Sequence, residues 1–157
     1  MSTKSLRGSL HFITFIDDNL RKCWAYLLKD KTEVFATFRN FHAFITAQPG
    51  LKLKYLMTDN GGRYVGNQFT YFCAENGIKR ELTTPYNPAS NSMAVKCNRK
   101  HYVKGLWCMW STAYHPPVFR GDVLESTVQF INRYPLNSLK CSISKEIWSN
   151  KSASYDH

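Results

Sequence analysis

The sequence predicts a single α/β domain in which strands lead and helices follow. Three observations support this fold class: two runs of aromatic and β-branched residues near the start, a helical period after them, and a strand, helix, strand unit in the centre. The chain has 157 residues, of which 43% are hydrophobic and 15% aromatic. That is enough apolar material for one sizeable core, which excludes a natively disordered chain.

The first three elements are a hairpin and a helix. Leu10–Asp17 and Cys23–Leu28 are short apolar runs separated by a polar break, which predicts two strands joined by a turn. A helix is then predicted from Thr32-Glu33, and Pro49-Gly50 stops it. Its apolar positions recur every three or four residues, at Val34, Phe38, Phe41 and Ile45. The denser series Phe35, Phe38, Phe41 and Phe44 is interpreted as core.

The centre of the chain predicts a strand, helix, strand unit. Alternating apolar residues over Leu51–Asp59 favour a strand, which Asn60-Gly61-Gly62 ends. Asn67–Asn76 has the period of a helix, with Gly77 as its stop, and Ile78–Thr83 reads as another short strand. Asp59 is therefore expected at the carboxyl end of a strand, beside a glycine loop.

The second half is predicted to be mainly helical. A long helix is expected from about Asn91 to Trp110, and a second amphipathic helix contains Val118 to Ile131 and ends near 132–135. The remaining stretch is polar, with Trp148 as one aromatic anchor. We therefore divide the chain into a core domain of residues 1–135 and a polar C-terminal extension of residues 136–157.

The charge balance indicates a polyanionic partner. Twenty-one Lys and Arg residues against eleven Asp and Glu give a formal net charge of +10. Nucleic acid is the first candidate for such a partner, and an anionic membrane surface is the second. The sequence contains neither a run of about 18 apolar residues nor the apolar block of a signal peptide. A soluble, intracellular protein without a membrane partner is expected.

The cysteines and histidines do not form a metal-binding pattern. Five cysteines occur without a CxxC pair, and the five histidines lie at no metal-ligand spacing. A disulfide framework and a structural zinc site are both disfavoured, and free thiols that fill the core are the preferred interpretation.

Several separated blocks carry a family resemblance. They are FITFIDDNLRK, LMTDNGGRYVGNQFTYFCAENGIKRELTTPYNP, a following NRK, INRYPLNSL and SKEIW, in this order. Together they resemble the integrase catalytic core of a copia-type LTR retrotransposon Pol polyprotein, over about residues 5–148. The resemblance implies a ribonuclease-H-like α/β fold, a mixed sheet with flanking helices, and action on DNA in the nucleus.

The family joins DNA ends with three carboxylates, the last two separated by 35 residues, that bind Mg²⁺ or Mn²⁺. In-line displacement needs both the attacking and the leaving oxygen stabilised, which two metal ions about 4 Å apart supply. By resemblance Asp59, in TDNGG, is the second carboxylate and the metal ligand. The glutamate position falls on Val95, which cannot ligate a metal.

The first family aspartate lies on a strand just before the stretch that resembles Met1–Ser9. We therefore expect the chain to begin after that strand, and so to lack this carboxylate and the first central strand. Replacement by other acids is disfavoured. By resemblance Asp17 and Asp18 belong to a non-catalytic strand and turn, Glu75 and Glu81 lack the required spacing from Asp59, and metal sites tolerate little positional error. The acids considered are Asp17, Asp18, Glu75 and Glu81.

Nucleic-acid contacts are expected from the loop and the long helix after Asp59. The candidates are Asn91 in the loop and four basic residues at positions i, i+3, i+4 and i+8, namely Lys96, Arg99, Lys100 and Lys104. Residues 61–110 contain seven Lys and Arg against two acids. The alternative is a solvated helix face. Trp107 and Trp110 are interpreted as core, with base stacking as their alternative.

The function predicted is that of a truncated, degenerate integrase core that binds the DNA backbone without sequence preference and has lost catalysis. One alternative is an active strand transferase completed by upstream segments. Another is an interaction module that uses an exposed sheet edge, because unpaired strand edges recruit partners. We also expect marginal stability and self-association, and no small-molecule substrate.

Overall fold

The structure is a computed structural model, and it describes residues 5–6, 8–58, 66–82, 116–136 and 142–149. The chain divides into two compact units. The first comprises Met1–Leu27 and Ala94–His157, and the second comprises Leu28–Met93. Each unit is described by itself.

The first unit begins with the predicted hairpin. Strands β1 (His11–Ile16) and β2 (Cys23–Leu28) pair with each other. The turn closes with a hydrogen bond from the Asp17 amide to the Lys22 carbonyl, 2.9 Å long. The Asp17 carboxylate accepts a hydrogen bond from the Leu20 amide, and Asp18 pairs with Arg21 at 2.6 Å. Arg21 has a φ of 55°, a left-handed conformation that these local bonds hold in place.

Helix α3 (Arg120–Arg133) packs on β2 and provides a core for the first unit. Its residues Leu124, Val128 and Ile131 are buried together with Cys23. The Asn132 amide group joins the same strand: its oxygen accepts from the Cys23 amide at 2.8 Å, and its nitrogen donates to the Cys23 carbonyl at 2.7 Å. One side chain thus satisfies both backbone groups of a strand residue, as a neighbouring strand would.

Gly121 allows the start of α3 to approach the hairpin closely. A Cβ atom at this position would lie 2.8 Å from Cδ1 of Leu27 and 3.4 Å from Cβ of Ser5. A side chain at this position would therefore require the Leu27 side chain to shift.

The C-terminal stretch contains regular structure that its polar composition does not predict. Strands β5 (Pro135–Leu136) and β6 (Ser142–Ile143) pair antiparallel, and helix α4 (Ser144–Ser149) follows directly. The aromatic anchor predicted at Trp148 lies on α4, and its ring meets the Trp24 ring edge to face at 5.1 Å.

The second unit begins with helix α1 (Val34–Thr46), after a 3-10 turn over Lys31–Glu33. The Asp30 carboxylate accepts a hydrogen bond from the Thr32 amide at 2.8 Å and caps this start. The buried residues of α1 are the four of the predicted apolar face, Val34, Phe38, Phe41 and Ile45.

The interpretation of all four phenylalanines as core is wrong for Phe44. This side chain is 43% exposed, while Phe38 and Phe41 are buried and Phe35 is partly buried. A step of three residues turns a helix by about 300°, so each successive phenylalanine is displaced by about 60° around the axis. Phe44 therefore lies on the opposite side of α1 from Phe35.

The predicted strand, helix, strand unit is present. It consists of β3 (Tyr55–Thr58), helix α2 (Asn67–Glu75) and β4 (Lys79–Leu82). Strands β3 and β4 are parallel, as expected for strands joined by a helix. β3 is shorter than the predicted strand, because Leu51–Lys54 is not in strand conformation. Gly77 ends the α2 region with a φ of 65°, which glycine adopts without strain.

Candidate functional site

The carboxyl end of β3 is the place where the sequence predicts the metal ligand. β3 and β4 pair with Tyr55 opposite Lys79 and Thr58 opposite Leu82. The Lys79 amide donates to the Lys54 carbonyl at 2.8 Å, which fixes the register at the start of the strand. Thr58 is the last residue of β3, so Asp59 follows directly after the strand end. In α/β sheets, ligands bind beyond the carboxyl ends of the strands.

Thr58 carries an unusual polar group at this strand end. The side chain is 93% buried, and its Oγ1 atom has no hydrogen-bond partner among the described residues. A buried hydroxyl without a partner costs about 1–3 kcal/mol. The end of β3 therefore contains a buried hydroxyl that no described residue satisfies.

Helix α2 is held against α1 by aromatic contacts. The Phe69 ring stacks on Phe38 with centroids 4.7 Å apart, and Phe72 meets Phe38 edge to face at 5.9 Å. Phe35 contacts both rings of α2, at 5.7 and 5.8 Å. These contacts form a rigid aromatic cluster within the second unit, and α2 connects it to the β3–β4 pair.

The two basic residues of β4 make local contacts. Arg80 donates to the Thr70 hydroxyl at 2.8 Å, and its guanidinium carbon lies 5.4 Å from the Phe69 ring centre. The Lys79 ammonium lies 3.7 Å from the Glu81 carboxylate and 5.6 Å from the Tyr55 ring centre. These are two of the seven basic residues in 61–110, and both have roles within their own unit.

Burial disfavours the charged form of two titratable groups nearby. Desolvation raises the pKa of the Cys73 thiol, although the positive charge of Arg80 opposes the shift. Desolvation also lowers the pKa of His42, whose ring meets Phe72 edge to face at 5.3 Å. These shifts favour the protonated thiol of Cys73 and the neutral ring of His42.

The sequence comparisons decide the family. Residues 2–88, more than half of the chain, match the family profile described as Integrase core domain. The chain belongs to the integrase core family. The resemblance inferred from the separated sequence blocks is thereby confirmed.

Curated relatives of this integrase core are retrotransposon polyproteins. The Retrovirus-related Pol polyprotein from transposon TNT 1-94 of Nicotiana tabacum is 40% identical over 157 residues, which is 100% of this chain and 12% of that protein. The corresponding polyprotein from transposon RE2 of Arabidopsis thaliana is 27% identical over 131 residues, 83% of this chain and 9% of that protein. The integrase core thus spans about a tenth of the length of these relatives.

Solved structures confirm the predicted α/β, ribonuclease-H-like fold class. A chain of the simian T-cell lymphotropic virus intasome in complex with PP2A regulatory subunit B56 gamma matches with a TM-score of 0.70 at 18% identity. The match covers 93% of this chain and 50% of that chain. The HTLV-2 integrase catalytic core domain in complex with magnesium, in a trimeric form, matches with a TM-score of 0.63 at 16% identity. This match covers 85% of this chain and 81% of that chain.

The predicted contact residues of the integrase core lie outside the described residues. This applies to the metal ligand Asp59, to Val95 at the glutamate position, and to the candidate DNA contacts Asn91, Lys96, Arg99, Lys100 and Lys104. Trp107 and Trp110 also lie outside them. Within the described residues, no group of three or more His, Cys, Asp or Glu side chains could bind a metal ion. In the same part of the chain, no helix is long and apolar enough to cross a membrane.

The acids weighed as substitute ligands mostly have local partners. Asp17 and Asp18 stabilise the hairpin turn through Leu20 and Arg21, and Glu81 pairs with Lys79. Glu75 is the last residue of α2 and is exposed. Three of the four are thus placed by the hydrogen bonds and ion pairs of their own elements.

One cluster of polar and aromatic side chains was not predicted from the sequence. The Lys22 ammonium lies 4.3 Å from the Trp148 ring centre and 5.1 Å from that of Trp24. Burial between these rings, together with repulsion from Lys145, lowers the pKa of Lys22 to about 8. The negative charge of Asp17 raises this pKa and so opposes the shift in part. The signal in the sequence is weak, because Lys22 and Trp148 are far apart and only the fold joins them.

Proposed function

We propose that this integrase core is a DNA-binding segment of a retrotransposon Pol polyprotein that acts in the nucleus, contacts the phosphate backbone without sequence preference, and does not catalyse strand transfer. Membership of the family supports a role associated with DNA integration. The observation that carries the binding proposal is the net charge of +10, half of it within residues 61–110, after the strand end that leads into Asp59.

The basic residues of the long predicted helix are the main candidates for DNA contact. Lys79 of β4 already contacts Glu81 and Tyr55, and Arg80 contacts Thr70 and Phe69. The positive charges of both residues thus interact with groups of their own unit. The others include Lys96, Arg99, Lys100 and Lys104, whose spacing places all four on one face of a helix. Phosphate contacts by such residues release counterions and are independent of base sequence.

The proposal is tested by the salt dependence of DNA affinity. We expect the purified chain to bind duplexes of unrelated sequence with similar, weak affinity, and the logarithm of the affinity to fall linearly with the logarithm of salt concentration. Fluorescence anisotropy of labelled duplexes over a salt series measures both quantities. Absence of binding at low salt, or an affinity that does not respond to salt, would contradict the proposal.

The catalytic part of the proposal concerns the metal ligands. Mg²⁺ prefers hard, anionic oxygen ligands, and a catalytic pair of ions needs several of them. In this chain the residue 36 positions after Asp59 is Val95, which offers no ligand atom. The donor set therefore does not fit the Mg²⁺ or Mn²⁺ site that the family implies, and we derive no reaction step from it.

Restoring the missing carboxylate should increase metal affinity. We expect Val95→Glu to bind Mn²⁺ at least about tenfold more tightly than the original chain, because it adds a second anionic ligand near Asp59. Isothermal titration calorimetry measures this gain. Val95→Gln, which has the same length without the charge, is the matched control, and Asp59→Asn in the Val95→Glu background should remove the gain.

Two results would overturn this part of the proposal. The first is equal Mn²⁺ affinity for Val95→Glu and Val95→Gln, which would show that residue 95 does not lie beside a metal ligand. The second is metal-dependent nicking of terminal-repeat DNA by the unchanged chain, abolished by Asp59→Asn. That result would show that the site is active without a glutamate at position 95.

Self-association through a strand edge is a second candidate function. Among the described strands, β3 pairs with β4 alone, and two of its side chains, Tyr55 and Met57, are 60% and 51% exposed. An apolar strand with an unpaired edge recruits further strands. The similar structures include an intasome and a trimeric form, which is compatible with assembly of this chain as well.

Size-exclusion chromatography with light scattering tests this candidate. We expect the average mass to rise with concentration, and Met57→Lys to shift the chain toward monomer, because a charge on an open strand opposes pairing. Tyr71→Lys is the control, since Tyr71 is 75% exposed but lies on α2. A monomer at all concentrations, with a sharp melt above the usual range of about 45–65 °C, would exclude this candidate.

A further inference from the structure

The cluster of Lys22, Trp24, Lys145 and Trp148 in the first unit combines the chemical groups that contact a single nucleotide. Lys22 immediately precedes β2, Trp24 is in β2, and Lys145 and Trp148 are on α4. All four side chains are partly buried and keep part of their surface exposed to solvent. Two ammonium groups can bind a phosphate, and an indole face can stack on a base.

The arrangement of the two lysines is unfavourable without an anion. Lys22 is placed over two aromatic rings, where cation–π attraction offsets part of its desolvation. Lys145 is nevertheless close enough to repel it, and the Asp17 carboxylate opposes this repulsion only in part. Burial and this repulsion together lower the pKa of Lys22 to about 8. An anion between the two ammonium groups would replace repulsion by two attractive contacts.

The two indoles are held in a defined geometry. Their ring centres are 5.1 Å apart, and their planes make an angle of 75°. In an edge-to-face pair the edge of one ring meets one face of the other, whereas a parallel stack covers a whole face of both rings. Lys22 lies over the Trp148 ring, and this indole is only partly buried, so part of its surface is exposed to solvent near the Lys22 ammonium group.

We propose that Lys22, Lys145 and the Trp148 indole form a contact site for one nucleotide of single-stranded DNA, in which the lysines bind a phosphate and the indole stacks on the adjacent unpaired base. The site belongs to the hairpin and the C-terminal helix, and so differs from the basic residues 96–104 on which the proposed function depends. It extends that function from the duplex backbone to an unpaired strand.

Binding to this site should be coupled to protonation of Lys22. A bound phosphate favours the ammonium form and raises the pKa of Lys22 above its value of about 8 in the free chain. Below about pH 8 the side chain is already charged, so the affinity changes little there. As the pH rises above that value, the free chain loses the proton, and the affinity falls.

The test measures binding of a short labelled oligodeoxyadenylate to the full chain. The adenine bases of this oligonucleotide do not titrate between about pH 7 and pH 9. We expect Lys22→Ala and Lys145→Ala each to reduce affinity by about threefold to tenfold, and Trp148→Ala by about tenfold. Lys29→Ala is the charge-matched control, since Lys29 is exposed and lies outside the cluster. Lys22→Arg, which stays charged, should bind at pH 7 and lose the fall in affinity above pH 8.

Further measurements distinguish binding of the phosphate from stacking on the base. A duplex of the same length measures backbone contact without an unpaired base, and inorganic phosphate as competitor measures the anion site alone. Circular dichroism melts show whether Trp148→Ala leaves the chain folded, and Trp148→Phe, which retains an aromatic face, should keep most of the affinity. Quenching of tryptophan fluorescence by the oligonucleotide reports stacking directly.

The outcomes distinguish this inference from the proposed function. If the chain binds the oligonucleotide and the Lys22 and Lys145 variants bind as tightly as Lys29→Ala, the cluster is structural and the inference is wrong. An affinity that falls above pH 8 equally in Lys22→Arg is also incompatible with it. If the chain binds neither single strand nor duplex, the proposed function itself fails.

Discussion

Replacing Phe38 by alanine is expected to lower the free energy of unfolding by about 3–5 kcal/mol. Phe38 is fully buried, its ring stacks on Phe69 at 4.7 Å, and it meets Phe72 edge to face. Removing the ring loses its transfer free energy and leaves a cavity between α1 and α2, which rigid aromatic neighbours fill poorly. Since domains of this size are stable by about 5–15 kcal/mol, much of the margin would be lost.

Urea denaturation followed by circular dichroism measures this effect, and Phe44→Ala is the matched control. It is the same substitution on the same helix, at a side chain that is 43% exposed, and we expect a loss within about 0.5–1 kcal/mol. A loss at Phe44 as large as that at Phe38 would contradict the structural assignment of the two faces of α1. A small loss at both positions would mean that the aromatic cluster does not stabilise the second unit.

Phe38 and Phe44 also show which features of α1 could be predicted from residue spacing and which could not. The helix was predictable because Val34, Phe38, Phe41 and Ile45 repeat at the helical period. The error at Phe44 came from counting aromatic residues at a constant step of three, which drifts around the helix axis. The regular spacing favoured a core position for every phenylalanine of the series, whereas the geometry of the helix permits it for only part of the series.

The length of β3 illustrates a different limit. The alternating residues from Leu51 onward predicted a longer strand, but strand conformation begins only at Tyr55. A strand extends as far as its hydrogen-bonding partner does, and β4 begins at Lys79 because Gly77 ends the preceding turn. The partner and its starting residue are properties of the fold, so the local pattern could not set this boundary.

One candidate site could likewise be predicted from the sequence, and the other depends on the fold. The position of Asp59 after a strand, and of Val95 where the family has a glutamate, could be inferred from residue types and spacing in the chain. The cluster of Lys22, Trp24 and Trp148 could not, because a hairpin and a short C-terminal helix far along the chain bring these side chains together. Spacing rules identify sites built from neighbouring elements, and they miss contacts made by distant ones.

Simultaneous replacement of Lys96, Arg99, Lys100 and Lys104 by alanine is expected to lower duplex DNA affinity on the order of 100-fold at low salt. It should also reduce the slope of log affinity against log salt by about 3 to 4, because each phosphate neutralised contributes about 0.9 to that slope. The reduction should be alike for duplexes of different sequence, since phosphate contacts carry no base information. Anisotropy titrations over a salt series measure the affinity and the slope together.

The decisive control removes the same four positive charges elsewhere. Lys29, Lys31, Lys52 and Lys54 are all exposed, and their joint replacement by alanine lowers the net charge of +10 by the same amount. Long-range attraction to DNA responds to net charge and would weaken equally in both variants. Direct contact depends on position, and only the helix variant would then lose the steep salt dependence. An unchanged slope in the helix variant, or an equal change in the control, would mean that the basic face of this helix is exposed to solvent and does not contact DNA.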